Sequence, residues 1–242
     1  MLGDGEELRA LCERHERVLL AAGAALAVLL RCALAASPYS GEGRPPMHGD
    51  FEAQRHWMEI TTALPALQWY ENSTDNDLLY WGLDYPPLTA YHSLLLGRLG
   101  HRLVPQCFAL RSSRGHESEA CRRFMRATVV ASDLAVYMPG ALCAVRGFAA
   151  AREGALARVA SLLALWCLPP LLLVDHGHFQ YNGVCLGLCL AAAGCVARRR
   201  TLLASLLFTS ALFFKQIALY YAPAFFAAIL AHCLRPPRSA AS

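Results

Sequence analysis

Seven apolar runs divide the chain, at residues 18–37, 88–104, 127–145, 155–174, 184–197, 202–214 and 218–234. A helix needs about 20 mostly apolar residues to cross a bilayer core. The run at 18–37 meets that length, whereas 88–104 is borderline because Arg98, His101 and Arg102 interrupt it. Pro169-Pro170 should kink the run at 155–174. The pattern predicts an all-α fold, a polytopic membrane helix bundle with six or seven spans. Arginines at 146, 152 and 158 and at 198–200 read as cytosolic. A simple up-and-down count then conflicts with the basic stretch 98–126, and the preferred resolution is that 88–104 does not cross fully. The expected organisation is a polar head at 1–17, a transmembrane module at 18–234 and a loose tail at 235–242. The head mixes acids with bases and is too long for a signal-peptide n-region, so 18–37 reads as a retained span.

Three polar islands stand at span ends: 49–59, 82–87 and 175–182. The first has a helical pattern that runs to about Leu64 and stops at Pro65. Trp57, Ile60 and Leu64 share an apolar face, while Glu52, His56 and Glu59 share another. This suits an interfacial amphipathic helix with Asp50 as its N-cap. It also suits a carboxylate base at a membrane surface, and the two readings are compatible. In the second island, aromatic residues followed by Pro86-Pro87 look like an interface anchor that opens a helix, with Asp84 a cap or a site carboxylate. In the third, His176 and His178 invite a metal reading, but no ligand set accompanies them, and histidines at interfaces more often bind backbone or water. Lys215 suits a phosphate contact or a snorkelling helix end. Asp133 lies inside an apolar run and is either a functional suspect or the partner of an arginine; Arg31, inside another, either snorkels or meets a partner. Asn72-Ser73-Thr74 is a glycosylation sequon in a polar loop.

Composition narrows the class. Of 242 residues only 17% are charged, against roughly 25% in soluble domains, and mean hydropathy is +0.33. Net charge is +4, with basic residues beside the apolar runs, so nucleic acid is a poor partner. Ten cysteines are scattered without a CxxC, mostly in apolar runs, and predict neither a disulfide framework nor a structural metal. Walker, GxSxG and HExxH motifs are absent from the sequence. What remains suits sugar and phosphate handling. Carboxylates accept from hydroxyls, aromatics stack on sugar faces, and Lys or Arg receives phosphate. A base for a sugar hydroxyl needs a carboxylate within about 3 Å of it, for which Asp50 and Asp84 are the natural choices.

The segments Pro38-Tyr39-Ser40-Gly41, 49–61, 80–93, Ser113-Arg114-Gly115, 175–182 and 214–223 resemble the dolichyl-phosphate-glucose-dependent α-1,3-glucosyltransferases of asparagine-linked glycosylation. The branch that adds the second glucose shares the Asp50-Phe51-Glu52, Leu83-Asp84-Tyr85-Pro86-Pro87 and His178-Phe179-Gln180-Tyr181-Asn182 cores. Residues 54–59, Tyr80-Trp81-Gly82 and Lys215-Gln216 look more like the branch that adds the first glucose to a nine-mannose oligosaccharide. The resemblance implies a GT-C fold in the endoplasmic reticulum membrane, multi-pass, with the active site facing the lumen in loop 38–87. It implies dolichyl phosphate glucose as donor, a dolichyl-diphosphate oligosaccharide as acceptor, inversion at the anomeric carbon, and no cofactor or metal. Asp50 matches the family's catalytic base. Glu52, Arg55, His56 and Trp57 would orient it and line the acceptor side. Asp84, Tyr85, His176, His178, Gln180 and Lys215 would be donor or acceptor contacts. The family runs to about twice this length, so a truncated, non-catalytic membrane subunit is an alternative. A transporter ranks last, since no internal repeat is present and the polar islands lie at span ends rather than mid-span.

Overall fold

The computed structural model describes residues 3–149 and 154–234. The tail expected at 235–242 and Arg152 lie outside the described residues. The chain order is α1 (Gly3–Leu34), α2 (Gly49–Ala63), α3 (Pro87–Leu103), α4 (Glu119–Phe148), α5 (Ala155–Phe179), α6 (Asn182–Ala197), α7 (Thr201–Phe214) and α8 (Gln216–Cys233). No strand occurs among the described residues. Four helices are long and apolar enough to cross a bilayer: α1 from Arg9 onward, α4, α5 and α8. The shorter apolar helices α6 and α7 lie between them. The polar head is helical from Gly3 and joins the first span through a break at His15.

Helix ends sort to two faces. At one, Glu16 of α1 pairs with Arg158 of α5 at 2.7 Å. At the other, Arg122 of α4 donates to the Ala36 and Ser37 carbonyls beyond α1, and Ser40 N–H donates to His178 O near the end of α5. Both ends of α3 lie on this second face. Its first turn reaches α7 through the Thr89 hydroxyl and the Phe214 carbonyl. Near its far end, Gly100 leaves room for Phe108 and Phe124 beside the start of α4. α3 therefore packs on α2 with both ends at this face, the arrangement expected of a helix that does not cross fully. Several arginines on this face pair with carboxylates: Arg111 with Asp75, Arg122 with Glu42, Arg123 with Glu119 and Arg55 with Glu52 and Glu59. Counting charges along the sequence could not see that pairing.

Prolines shape two spans, and their freed carbonyls find partners, as a low-dielectric setting requires. Pro169 and Pro170 lack the N–H groups that Leu165 and Trp166 would meet four residues back. The Tyr137 hydroxyl takes Leu165 O at 2.6 Å, and Arg31 takes Trp166 O at 2.8 Å. Beyond the prolines α5 continues as a π-helix, Leu172–Phe179. The sequence reading ended this span near 174; in the structure Asp175 and His176 lie inside the helix and are buried. A π-turn at Asp133–Tyr137 similarly precedes Pro139 in α4.

Helices α4 and α6 touch backbone to backbone. A Cβ on Gly140 would sit 2.1 Å from Gly187 O, and one on Gly147 would sit 2.5 Å from Gly194 O. These glycine pairs recur at seven-residue spacing on both helices, the small-residue packing that membrane helices use to approach closely. Arg31 is buried in the bundle, with Nε 2.7 Å from Asp133. The pair sets the two buried charges against each other.

Candidate active site

Helix α2 carries the site. Its residues from Phe51 to Thr61 are all buried, its polar face included, so it is not an amphipathic helix lying on an interface. His48, in the left-handed region, occupies the N-cap, and Asp50 lies within the first turn rather than capping it. The Asp50 N–H donates to Ser40 Oγ at 3.2 Å. Gly49 makes this approach possible, since a Cβ there would lie 2.6 Å from Ser40 Oγ and its φ is 66°. Phe51 anchors the turn by stacking on Tyr39, with centroids 3.9 Å apart, and meets Phe179 edge-on at 4.8 Å.

Phe179 ends the π-helix with φ 98°, a conformation that costs a non-glycine residue about 1–3 kcal/mol. The turn directs both of its neighbours at Asp50. His178 Nε2 and Gln180 Nε2 each lie 2.8 Å from Asp50 Oδ2. Among the described residues no donor reaches Oδ1, and the Asp50 side chain is 33% exposed. Arg126 clamps the turn by donating to the His176, Gly177, Ser37 and Pro38 carbonyls. Lys215, between α7 and α8, donates to Gln180 Oε1 at 3.3 Å and Asn182 Oδ1 at 2.6 Å. Its ammonium lies 4.7 Å from the centre of the Tyr85 ring. Asp50, His178, Gln180, Asn182 and Lys215 line an open cleft of about 470 Å³, whose remaining wall is Leu173 and Val174.

Four of the expected site residues thus meet: Asp50, His178, Gln180 and Lys215. Tyr85 adjoins them through Lys215, and exposed Asp84 through its carbonyl, which accepts from Gln216 at 3.0 Å. Pro86, not Asp84, caps α3. Asn182 was the residue that sequence reasoning passed over; its place in the same island as Gln180 was the available signal.

The other expected contacts lie elsewhere. His176 points away from His178 and meets Asp133 Oδ2 at 3.0 Å, beside Arg31. The two histidines therefore share no site. Among the described residues no group of three His, Cys, Asp or Glu side chains is arranged to hold a metal ion. Trp57 is buried, donates to Trp81 O at 2.9 Å and packs on Tyr85.

Glu52, Arg55 and His56 lie behind the cleft in a buried network. Arg55 uses all five guanidinium donors. They go to both oxygens of Glu52 at 2.6 Å, to Glu59 at 2.8 Å, and to Cys107 O and Ser113 Oγ at 2.7 Å. Tyr80 OH and Gly115 N–H complete Glu52, while Arg111 N–H and Ser113 Oγ complete Glu59. Burial raises the Glu59 carboxyl, but His56, Arg55 and the Arg111 amide outweigh it and hold the pKa down at about 2. Burial and the Glu52 charge push the Tyr80 phenol well up. The network ties α2 to the 105–118 loop. That loop is joined to α4 by a Cys107–Cys121 disulfide, a single pair where the scattered cysteines predicted no disulfide framework. The other eight cysteines are free. Asn72 is exposed, and its Oδ1 accepts from the Leu78 N–H at 3.1 Å.

Four helices able to cross a bilayer, with a carboxylate, two amides and an ammonium around an open, partly apolar cleft, are consistent with a membrane glycosyltransferase of the GT-C class. Residues 27–241 match the model of the ALG6, ALG8 glycosyltransferase family, and the chain belongs to that family. It is 50% identical over 201 residues to a probable dolichyl pyrophosphate Man9GlcNAc2 alpha-1,3-glucosyltransferase of Dictyostelium discoideum, an alignment covering 83% of this chain and 39% of the relative. With the Mus musculus and Saccharomyces cerevisiae proteins called dolichyl pyrophosphate Man9GlcNAc2 alpha-1,3-glucosyltransferase it shares 49% and 46% identity. Those alignments cover 87% and 88% of this chain and 41% and 39% of the relatives. The chain therefore spans about two fifths of the length of the curated relatives it matches.

Proposed function

We propose that this chain carries the base-bearing part of an inverting α-1,3-glucosyltransferase of the endoplasmic reticulum membrane. Glucose passes from dolichyl phosphate glucose to the terminal mannose of a nine-mannose dolichyl-diphosphate oligosaccharide. The observation that carries this reading is the partly exposed Asp50 carboxylate, fixed through Oδ2 and open at Oδ1, across one amide from the Lys215 ammonium. Asp50 Oδ1 takes the proton of the mannose 3-hydroxyl as its oxygen attacks glucose C1. The C1–O bond to phosphate breaks, and its electron pair leaves with dolichyl phosphate. Phosphate leaves without needing a proton. Lys215 receives the phosphate charge, and Leu173 and Val174 flank the polyprenyl chain. The names of the relatives support the acceptor and the linkage. The Cys107–Cys121 disulfide beside α2 supports a lumenal, oxidising side for this face, and the exposed sequon at Asn72 is compatible with it.

The test is transfer in microsomes that lack the endogenous enzyme, supplied with the chain, synthetic dolichyl phosphate glucose and the nine-mannose acceptor. The expected result is a one-glucose product that disappears with Asp50→Asn while expression is unchanged; loss of a general base typically costs 10²–10⁴-fold, here taken as on the order of 10³. Undiminished transfer by Asp50→Asn would remove Asp50 as the base. No transfer by the unaltered chain would favour the non-catalytic subunit.

A further inference from the structure

Among the described residues Asp175 meets no cation and does not line the cleft, yet it is fully buried in the last turns of α5. Its Oδ1 accepts from Asn182 Nδ2 at 2.8 Å, and its Oδ2 accepts from the Gly183 N–H at 2.7 Å. Both oxygens thus act as acceptors, one of them from a backbone N–H that can only donate. Asn182 must therefore turn its NH2 towards Asp175 and its oxygen outward. That oxygen is the closer of the two acceptors on Lys215, at 2.6 Å. The same logic runs from the other end. Asp50 draws the NH2 of Gln180, so Gln180 Oε1 also faces Lys215. The result is an unbroken chain: carboxylate, amide, ammonium, amide, carboxylate. Two of the three Lys215 protons are held by amide oxygens whose polarity is set by the two acids, which leaves the third for the cleft.

We propose that Asp175 is a positioning residue for the donor phosphate: through Asn182 it fixes the Lys215 ammonium at the cleft. This deepens the glucosyltransferase reading and rests on it only for the identity of the phosphate. Without the Asp175 carboxylate the Asn182 amide has no fixed sense, and one of its two orientations presents NH2 to an ammonium. With Asn182→Asp alone, two acids would face each other 2.8 Å apart inside the bundle. Combining Asp175→Asn with Asn182→Asp rebuilds the chain in reverse. The amide, now on α5, would accept from the Gly183 N–H and donate to the carboxylate, now on α6. That carboxylate would accept from Lys215, with volume and net charge conserved.

The experiment measures the binding of a short-chain polyprenyl phosphate to the chain in phosphatidylcholine nanodiscs, with thermal stability recorded in parallel. The proteins are the unaltered chain, Asp175→Asn, Asn182→Asp and the double exchange. Each single substitution is expected to weaken Kd about tenfold, equivalent to about 1.4 kcal/mol, and the double exchange to return it to within about threefold of the unaltered chain. A merely structural role would lower stability without the recovery. The proposal is overturned if both single variants bind as the unaltered chain does. It is also overturned if the double exchange is no better than the weaker single variant, does not fold, or if the unaltered chain binds no polyprenyl phosphate. Binding that follows the expected pattern without glucosyl transfer would leave the positioning role standing and remove the proposed reaction.

Discussion

Replacing Arg55 with methionine removes the hub of the network behind the cleft. The change leaves Glu52 and Glu59 buried at 2% and 0% exposure with no guanidinium between them. Breaking a buried ion pair on one side costs about 3–5 kcal/mol, because the stranded charge stays desolvated. For a chain of this size each kcal/mol shifts the melting temperature by about 2–4 °C, so a drop on the order of 6–20 °C is expected. Arg55→Lys should lose most of the same stability, since an ammonium has three donors and no fork, against five donors used here. The assay is thermal unfolding of purified protein in detergent, followed by tryptophan fluorescence, with limited proteolysis of the 105–118 loop alongside. A combined Glu52→Gln, Arg55→Met, Glu59→Gln variant should be more stable than Arg55→Met alone, because no unpaired charge remains. Acid provides an independent arm. Glu59 has its folded pKa depressed to about 2, below the roughly 4.3 of an unfolded glutamate. Its contribution is therefore present above about pH 4.3 and is lost as pH falls towards 2, a dependence that Glu59→Gln should flatten. Arg55→Met melting within about 2 °C of the unaltered protein, which is under 1 kcal/mol on the same scale, would refute the reasoning and return Arg55 to a direct substrate role.

Gly187→Val should disrupt the seam between α4 and α6, since even a Cβ there would lie 2.6 Å from Tyr137 Cα; loss of the monodisperse peak in detergent chromatography is the readout, and an unchanged profile would contradict the close approach. Asn72→Gln should abolish an endoglycosidase-sensitive shift on gel electrophoresis of the microsomal protein; no shift in the unaltered protein would mean that the sequon is unused.

Four of the apolar runs as helices long enough to cross a bilayer, the kink at Pro169-Pro170 and the helix opening at Pro87 were legible because they rest on run length and on proline chemistry, which are local; the expected count of six or seven spans exceeds those four, since α6 and α7 are shorter. The site was legible as three islands but not as a constellation. His176 and His178 stand two residues apart, yet a π-helical turn and the positive φ of Phe179 send them to different carboxylates. Helical period predicted neither. Glu52 and Arg55 read as site residues because charge beside a candidate base suggests chemistry. Their burial depends on the 105–118 loop folding over them, a contact more than fifty residues away in sequence. The Cys107–Cys121 pair escaped notice for the same reason: fourteen residues of spacing carry no motif.

Three carboxylates lie on α2, and geometry decides which of them can act on a sugar. Glu52 accepts four hydrogen bonds, from both Arg55 branches, Tyr80 and Gly115, and has no lone pair facing open space. Glu59 is enclosed by Arg55, His56, Arg111 and Ser113. Asp50 alone reaches the cleft. The two enclosed acids nevertheless serve the exposed one. The base proposed at Asp50 would have to be held to within about 0.5 Å of its productive position to be effective. Further along the same helix, Glu52 and Glu59 fasten α2 to a loop that a disulfide ties to α4. From the opposite side, Arg126 of α4 fastens the turn bearing His178 and Gln180. Helix α4 is thus the common reference for both halves of the Asp50 contact. A perturbation of α4 at Arg126 should therefore separate Asp50 from its two partners even though Arg126 touches none of the three.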